Sequence, residues 1–409
     1  MAWHPARMAD GSPRSAAIEP RPLPPIAAEV DAALIRIDRE IDWLVSLSPL
    51  GNEAMWHAFA ASGYQEEPEL RYPPPRTDLQ ALRDQLLALP VRDVEEPALE
   101  ALLREKQREL DRQVELVRLR GTAGFTAASI DLFGEADPEL LRIAQVILDT
   151  VAEAEPRTAT AGVDAVVAAA EAEFARYQEA DPRFGARIHV LDDLSGNLMV
   201  NHGDLFLART LRLAPERIGP LVAHEVGTHV LTAHNGRQQT LRQLEAGLAG
   251  YDPLQEGLGT FAEYLAGYLP PGRLRVLAAR VVAADRAVRG ESVTEIFARL
   301  HEDEAIPAED AFDTAVRAKR GGALTKDAVY LRGLRNLLAY LSAGGQLEFL
   351  LLGKFAMKQR HTIQQLYGEG WLTGPALLPS YLGTEGAQRR LERARRMTVD
   401  QLFQTTPAP

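Results

Sequence analysis

The chain has no cysteine in 409 residues. That removes disulfides, thiolate metal ligands and cysteine nucleophiles together, and it fits a reducing compartment. Basic residues are in deficit, with 45 Lys and Arg against 57 Asp and Glu and a formal charge of −12. General nucleic-acid binding needs the opposite balance, because affinity comes from cations that displace counterions. Long apolar runs are also missing, and Met1-Ala2-Trp3-His4-Pro5-Ala6-Arg7 lacks the apolar core of a signal peptide. The expected compartment is the cytoplasm, with neither membrane nor nucleic acid as partner. What the chain does have, 46% hydrophobic and 25% charged residues, suffices for one large core or two coupled ones.

Organisation follows from pattern. Residues 1–25 are rich in proline, alanine and arginine and end in Pro20-Arg21-Pro22-Leu23-Pro24-Pro25, which predicts a disordered arm. Residues 26–180 read as a helical region, with apolar residues at helical spacing over 26–47, 97–118, 137–153 and 161–179, and a loop at Tyr72-Pro73-Pro74-Pro75. The character changes near Ala186. Short runs around 186–191, 197–200 and 205–207, separated by Ser195-Gly196 and His202-Gly203-Asp204, predict a small antiparallel sheet. Beyond residue 263 the pattern is helical again, at about 273–288, 292–303, 308–319, 326–342, 345–352, 359–368 and 386–397. The fold class is therefore predominantly α with a small antiparallel sheet, and residues 181–400 form a second region packed with the first as one unit.

His224-Glu225-Val226-Gly227-Thr228-His229 carries the chemistry. The familiar zinc-peptidase helix spaces its histidines four apart so that both rings leave one face, with the intervening glutamate as general base. Here the spacing is five. At about 100° per residue, an undistorted helix would aim the two rings at different walls. A π turn, closing i→i+5, would restore their register, and Gly227 eases that distortion. A catalytic metal also needs a third protein ligand and an open position. Glu256, in the first turn of the helix predicted after Pro253, is the expected ligand. Glu263, seven residues on along the same face with Thr260 between, competes for the role, and one of the two glutamates should orient a histidine. Without the histidines, both would read as ordinary helical glutamates.

The zinc motif, Asn235-Gly236, Ala249-Gly250-Tyr251-Asp252, Gln255-Glu256-Gly257-Leu258 and the run Arg320-Gly321-Gly322-Ala323-Leu324-Thr325-Lys326-Asp327 through Leu334 together resemble the bacterial QEGLA-motif proteins. These are relatives of the microtubule-associated tyrosine carboxypeptidases. The resemblance covers roughly residues 120–382. It implies a zincin-like metallopeptidase core with an HExxxH helix, one zinc per chain held by His224, His229 and Glu256, and Glu225 as catalytic base. Gly259 stands where the family motif usually has alanine, and Ala323 where a third glycine is usual. Both are small residues expected to lie away from the ligands.

Other residues take expected places around this centre. Tyr330, four after Lys326 on one helical face, is the candidate oxyanion donor. A carboxypeptidase must neutralise the terminal carboxylate, which makes Arg320, Lys326 and Arg332 candidate substrate cations, with Thr325 capping a helix that begins at Lys326. The edge of the 197–207 hairpin and His202 in its turn are candidate substrate contacts. His234 is expected to complement the dipole where the helix ends at Asn235-Gly236. The reaction expected is hydrolysis of the C-terminal peptide bond of a peptide or protein. Its rivals are a non-catalytic metal- or peptide-binding regulator, an endopeptidase and a non-peptide amide hydrolase.

Overall fold

A computed structural model of the chain describes residues 20–407 apart from 42, 76, 153–157, 193, 195 and 196. It is predominantly helical. The helix Pro25–Ile41 buries Ala27, Val30, Leu34, Ile37 and Ile41, a three-and-four spacing that faces one stripe to the core. Pro97–Arg118 starts with proline in its first turn and does the same with Leu99, Leu103, Leu110, Val114 and Val117. Three further helices, Asn52–Ala61, Leu79–Leu87 and Phe125–Phe133, were not foreseen. The first nineteen residues of the expected arm lie outside the described residues. Residues 20–25 of that arm are ordered, since the Arg21 amide donates to the Gly370 carbonyl at 2.8 Å and its guanidinium stands 4.0 Å over the Trp371 ring.

One continuous apolar core joins Val30, Leu34 and Leu103 near the amino end to Val226, Phe261 and Leu334 around the zinc motif and Leu391 near the carboxyl end. The sheets beside it are small. β1 (Ala161–Gly162) pairs antiparallel with β5 (Arg212–Leu213). β2 (Ile188–Leu191), β3 (Leu198–Asn201) and β4 (Asp204–Ala208) make a second sheet in the order β2-β4-β3. β3 and β4 form the expected antiparallel hairpin, and its turn is built by His202 and Gly203, with φ of 50° and 85°. β2 departs from the expectation of antiparallel neighbours: because β4 takes the centre, β2 lies beside it in parallel. The Ser195-Gly196 turn lies outside the described residues.

Main chain meets main chain at one crossing that matters for the site. A Cβ on Gly257 would lie 2.5 Å from the Gly333 carbonyl carbon, and one on Gly333 would lie 1.6 Å from the Pro253 carbonyl oxygen. The helices Asp252–Leu265 and Val329–Ser342 can touch only because both positions lack side chains. That contact brings the Gln255-Glu256-Gly257-Leu258 motif against the segment bearing Lys326 and Tyr330.

Candidate metal centre

The chain from Ile218 to Arg237 is one helix interrupted in the middle, with α turns over Ile218–His224, π turns over Glu225–Val230 and α turns again over Leu231–Arg237. The five-residue spacing thus meets the i→i+5 geometry it requires, and the ring centroids of His224 and His229 come to 5.1 Å. Gly227 also faces a neighbour, since a Cβ there would sit 3.1 Å from the Tyr381 ring. The helix does not end in a left-handed cap at Asn235-Gly236. Instead the Asn235 side chain donates to the carbonyls of Leu351 and Leu377 and accepts from the Leu377 amide. A Cβ on Gly236 would lie 2.1 Å from the Leu244 carbonyl oxygen. These two residues serve tertiary packing. His234 accordingly meets a carboxylate, Asp181 at 3.0 Å, and burial holds its pKa below the usual histidine value.

Donor atoms of His224, His229 and Glu256 all lie within 4.8 Å of one another. The Glu256 carboxylate is 3.8 Å from His224 Nε2 and 3.9 Å from His229 Nε2. Bonds of about 2.0–2.2 Å to a tetrahedral ion require donors about 3.3–3.6 Å apart, and the two Glu256–histidine separations exceed this by only a few tenths of an ångström. The other ring nitrogen of each histidine is already engaged. His224 Nδ1 lies 2.8 Å from Glu263, and His229 Nδ1 lies 3.3 Å from the Gln255 side-chain oxygen, which also accepts from Thr232 at 2.8 Å. Nδ1–H donation to these oxygens leaves each Nε2, once deprotonated, as the nitrogen that would bind a cation beside Glu256. The residues therefore fit a divalent ion with two imidazoles and one carboxylate, a donor set suited to zinc.

Glu263 is placed behind His224 and not among the donors. Its carboxylate receives Arg217 at 2.5 Å, lies 3.6 Å from Arg273, and is held well below the usual carboxylate range by these cations against the effect of burial. Thr260 is buried too, but its hydroxyl has no hydrogen-bond partner among the described residues, so it orients neither histidine. Gly259 is not remote from the ligands, contrary to expectation: a Cβ there would fall 2.6 Å from His224 Nε2. Glycine is the residue that leaves this ring its position.

Charge inside the cluster is unevenly held. Burial works against a proton on His224, yet Glu225, Glu256 and Glu263 outweigh it and raise the pKa to about 10. Burial dominates at His229 and lowers it to about 4. Glu256 falls to about 2 because hydrogen bonding to His224 and the charges of His229 and Lys326 overcome its burial. Glu225 rises to about 7, through burial first and then the neighbouring carboxylates, opposed by His224. Side-chain exposure is 5% for His224 and 2% for Glu263, but 14% for both Glu225 and His229 and 17% for Glu256. The cluster is thus closed behind His224 and opens where Glu225 and Glu256 face out.

The expected substrate cations fare unequally. Lys326 is beside the cluster, ion-paired to Asp252 at 3.0 Å and sensed by Glu256. Arg332 is turned away, donating at 2.6 Å to the main-chain carbonyls of Phe133 and Glu135. Arg320 is buried with Nε unpartnered. Thr325 does not cap a helix at Lys326: residues 325–328 form a 3₁₀ turn, and its hydroxyl donates to the Ser129 carbonyl. Tyr330 follows in the first turn of Val329–Ser342, its pKa raised by burial and by Glu256. His202 occupies the left-handed hairpin turn, with its main-chain oxygen 3.4 Å from Arg237. Arg217, Gln255, Arg273 and Arg280 were missed as site residues. Nothing local marked two of them: Arg273 and Arg280, seven apart on one face of the helix Pro271–Val288, read in sequence as solvated arginines.

No helix among the described residues is long and apolar enough to cross a membrane. No curated protein matches the chain. A solved structure, Trypanosoma cruzi metallocarboxypeptidase 1, is 14% identical with a TM-score of 0.38, covering 91% of this chain and 99% of that one; similarity at that level carries no argument. The family comparison does. The profile of the microtubule-associated tyrosine carboxypeptidase family matches residues 57–398, reaching further toward the amino end than the spaced motifs. With the His224, His229 and Glu256 cluster, that match supports a metallopeptidase-like function, and the chain belongs to the microtubule-associated tyrosine carboxypeptidase family.

Proposed function

We propose that the chain is a cytoplasmic zinc metallocarboxypeptidase that removes a C-terminal residue from a peptide or protein. The observation that carries this reading is the convergence of His224, His229 and Glu256 within 4.8 Å, with Glu225 on the open side of the same cluster. These three residues would hold one zinc per chain, which when bound supplies a water of lowered pKa and polarises the scissile carbonyl.

The chain's own residues supply the rest. Glu225, next to the ligand His224 and on the open side of the cluster, accepts the proton of the attacking water and delivers it to the departing amine. Tyr330 donates its hydroxyl hydrogen to the developing oxyanion; its raised pKa keeps that hydrogen in place. Glu263 holds the His224 ring through Nδ1, and Arg217 and Arg273 keep Glu263 ionised for that purpose. The β3 edge offers main-chain groups on which an extended peptide can pair.

The test is metal analysis of the purified protein combined with digestion of a mixed peptide pool, read by mass spectrometry. The reading expects about one zinc per chain, release of single C-terminal residues, and a Glu225→Gln variant that keeps its metal while losing activity by roughly 10²–10⁴-fold. Internal cleavage would make it an endopeptidase. Metal without turnover of any peptide would leave a binding protein.

A further inference from the structure

Five cations stand around Tyr330 and the cluster, and most are occupied. Arg273 lies against Glu263, Lys326 is paired with Asp252, and Arg317 makes a two-pronged contact with Asp327. Arg320 shares Arg317 and Asp327 with Arg280 as charged neighbours but has Asp313 and Tyr72 where Arg280 has Tyr330 and Arg273. Arg280 shares the unpartnered Nε with Arg320 and differs from all of these in its place against Tyr330. Its guanidinium lies over the Tyr330 ring, 4.8 Å from the centroid. Its Nε is buried without a hydrogen-bond partner, and no acid among the described residues lies within ion-pair distance.

A half-buried guanidinium with an unsatisfied donor is a costly arrangement unless something else completes it. Stacking on an aromatic face fixes the plane of the fork without using its in-plane N–H groups. Such a group is prepared for a planar anion that accepts two parallel hydrogen bonds, and a carboxylate is the matching partner. Tyr330 lies under Arg280 and on the helix that crosses the Glu256 helix at Gly257 and Gly333, so it links the two sites. The terminal carboxylate of an exopeptidase substrate stands one residue beyond the scissile carbonyl, about 3.5 Å per residue along an extended chain. The carboxylate receptor therefore has to lie just past the oxyanion donor.

We infer that Arg280 is the receptor for the substrate's terminal carboxylate and the residue that makes the site an exopeptidase, in place of Arg320, Lys326 and Arg332. The assignment rests on the carboxypeptidase reading above. Burial among Arg317 and other cations also holds the Arg280 pKa below the usual arginine value, as expected of a site that gains by receiving an anion.

The test uses the full chain carrying Glu225→Gln, loaded with zinc, so that binding is measured without turnover. The probes are an N-acetylated pentapeptide ending in tyrosine with a free carboxylate and the same peptide as its carboxamide, titrated calorimetrically. The free acid should bind roughly tenfold to a hundredfold more tightly than the amide. Adding Arg280→Gln should bring the two within about twofold while leaving zinc content and amide affinity unchanged. Arg280→Lys, which keeps the charge but loses the fork, should restore only part of the preference. If the preference survives Arg280→Gln, or collapses instead in Arg320→Gln or Lys326→Gln, the Arg280 assignment is wrong while the carboxypeptidase reading stands. If the Glu225→Gln protein binds acid and amide alike, the carboxypeptidase reading itself falls, and the role of Arg280 with it.

Discussion

The segment 218–265 and the segment 271–332 both place charged groups in the interior, but they do so in opposite ways. In the first, each ionisable group at the centre has a partner: His224 with Glu263, Glu263 with Arg217, His229 with Gln255. In the second, the pairing is incomplete, and Arg280 and Arg320 each keep a buried nitrogen without a hydrogen bond among the described residues. The contrast separates two tasks. A resident ion is best held by groups whose positions are already fixed, so its surroundings are complete before it arrives. A transient anion is best met by donors left unsatisfied until it comes, at some expense in stability.

That contrast can be broken most severely among the donors. His224→Ala, His229→Ala or Glu256→Ala should each abolish stoichiometric zinc in dialysed protein assayed by atomic emission, because each removes one of three protein ligands. Glu263→Ala should be milder, weakening zinc affinity roughly 10–100-fold in a chelator competition while leaving stoichiometry intact at saturating metal. The reverse pattern, with full loss on Glu263→Ala and retention on Glu256→Ala, would exchange their roles.

Gly259→Ala comes next in size. The added methyl would press on His224 Nε2 from 2.6 Å, so the ring must shift and zinc affinity should fall severalfold or more, with little change in secondary structure by circular dichroism. An unchanged affinity would mean that the His224 ring can shift without losing the metal.

The smallest expected effect lies at the rim of the cluster, at Lys354. Burial lowers its pKa to about 8. In the unfolded chain it stays protonated to near its ordinary 10.5, so between these values the unfolded state binds more protons and stability rises with pH. Below pH 8 both states are protonated and the penalty on the folded state is constant. The denaturation midpoint of the parent should therefore gain between pH 7.5 and 9.5 relative to Lys354→Met. Parallel pH profiles would show that Lys354 is solvated.

Much of the first segment was legible in the sequence, because its chemistry is local. Two histidines five apart demand a π turn whatever surrounds them, and Glu256 and Glu263 are seven apart on one helix. The arginines of the second segment were not legible in the same way. Arg280 reaches Tyr330 across fifty residues of chain, and an arginine in an amphipathic helix looks like a solvated one until the partner helix is in place. Arg332 misled for the same reason, since nothing local announces that the carbonyls of Phe133 and Glu135 will claim it. Asn235-Gly236 is a good local stop signal overruled by distant carbonyls, and Gly259 resembled a harmless exchange until its neighbour was known.

The crossing at Gly257 and Gly333 sets how far apart these two segments stand, and it does so with peptide groups. Side chains hop between rotamers and yield to warming, whereas two backbones in contact can come no closer and gain nothing by separating. The gap between Glu256 and Tyr330 is thus gauged like a machined stop, insensitive to the looseness of the residues that fill the space around it. An alanine at either glycine would act as a shim of fixed thickness, displacing ligand and tyrosine together while touching neither.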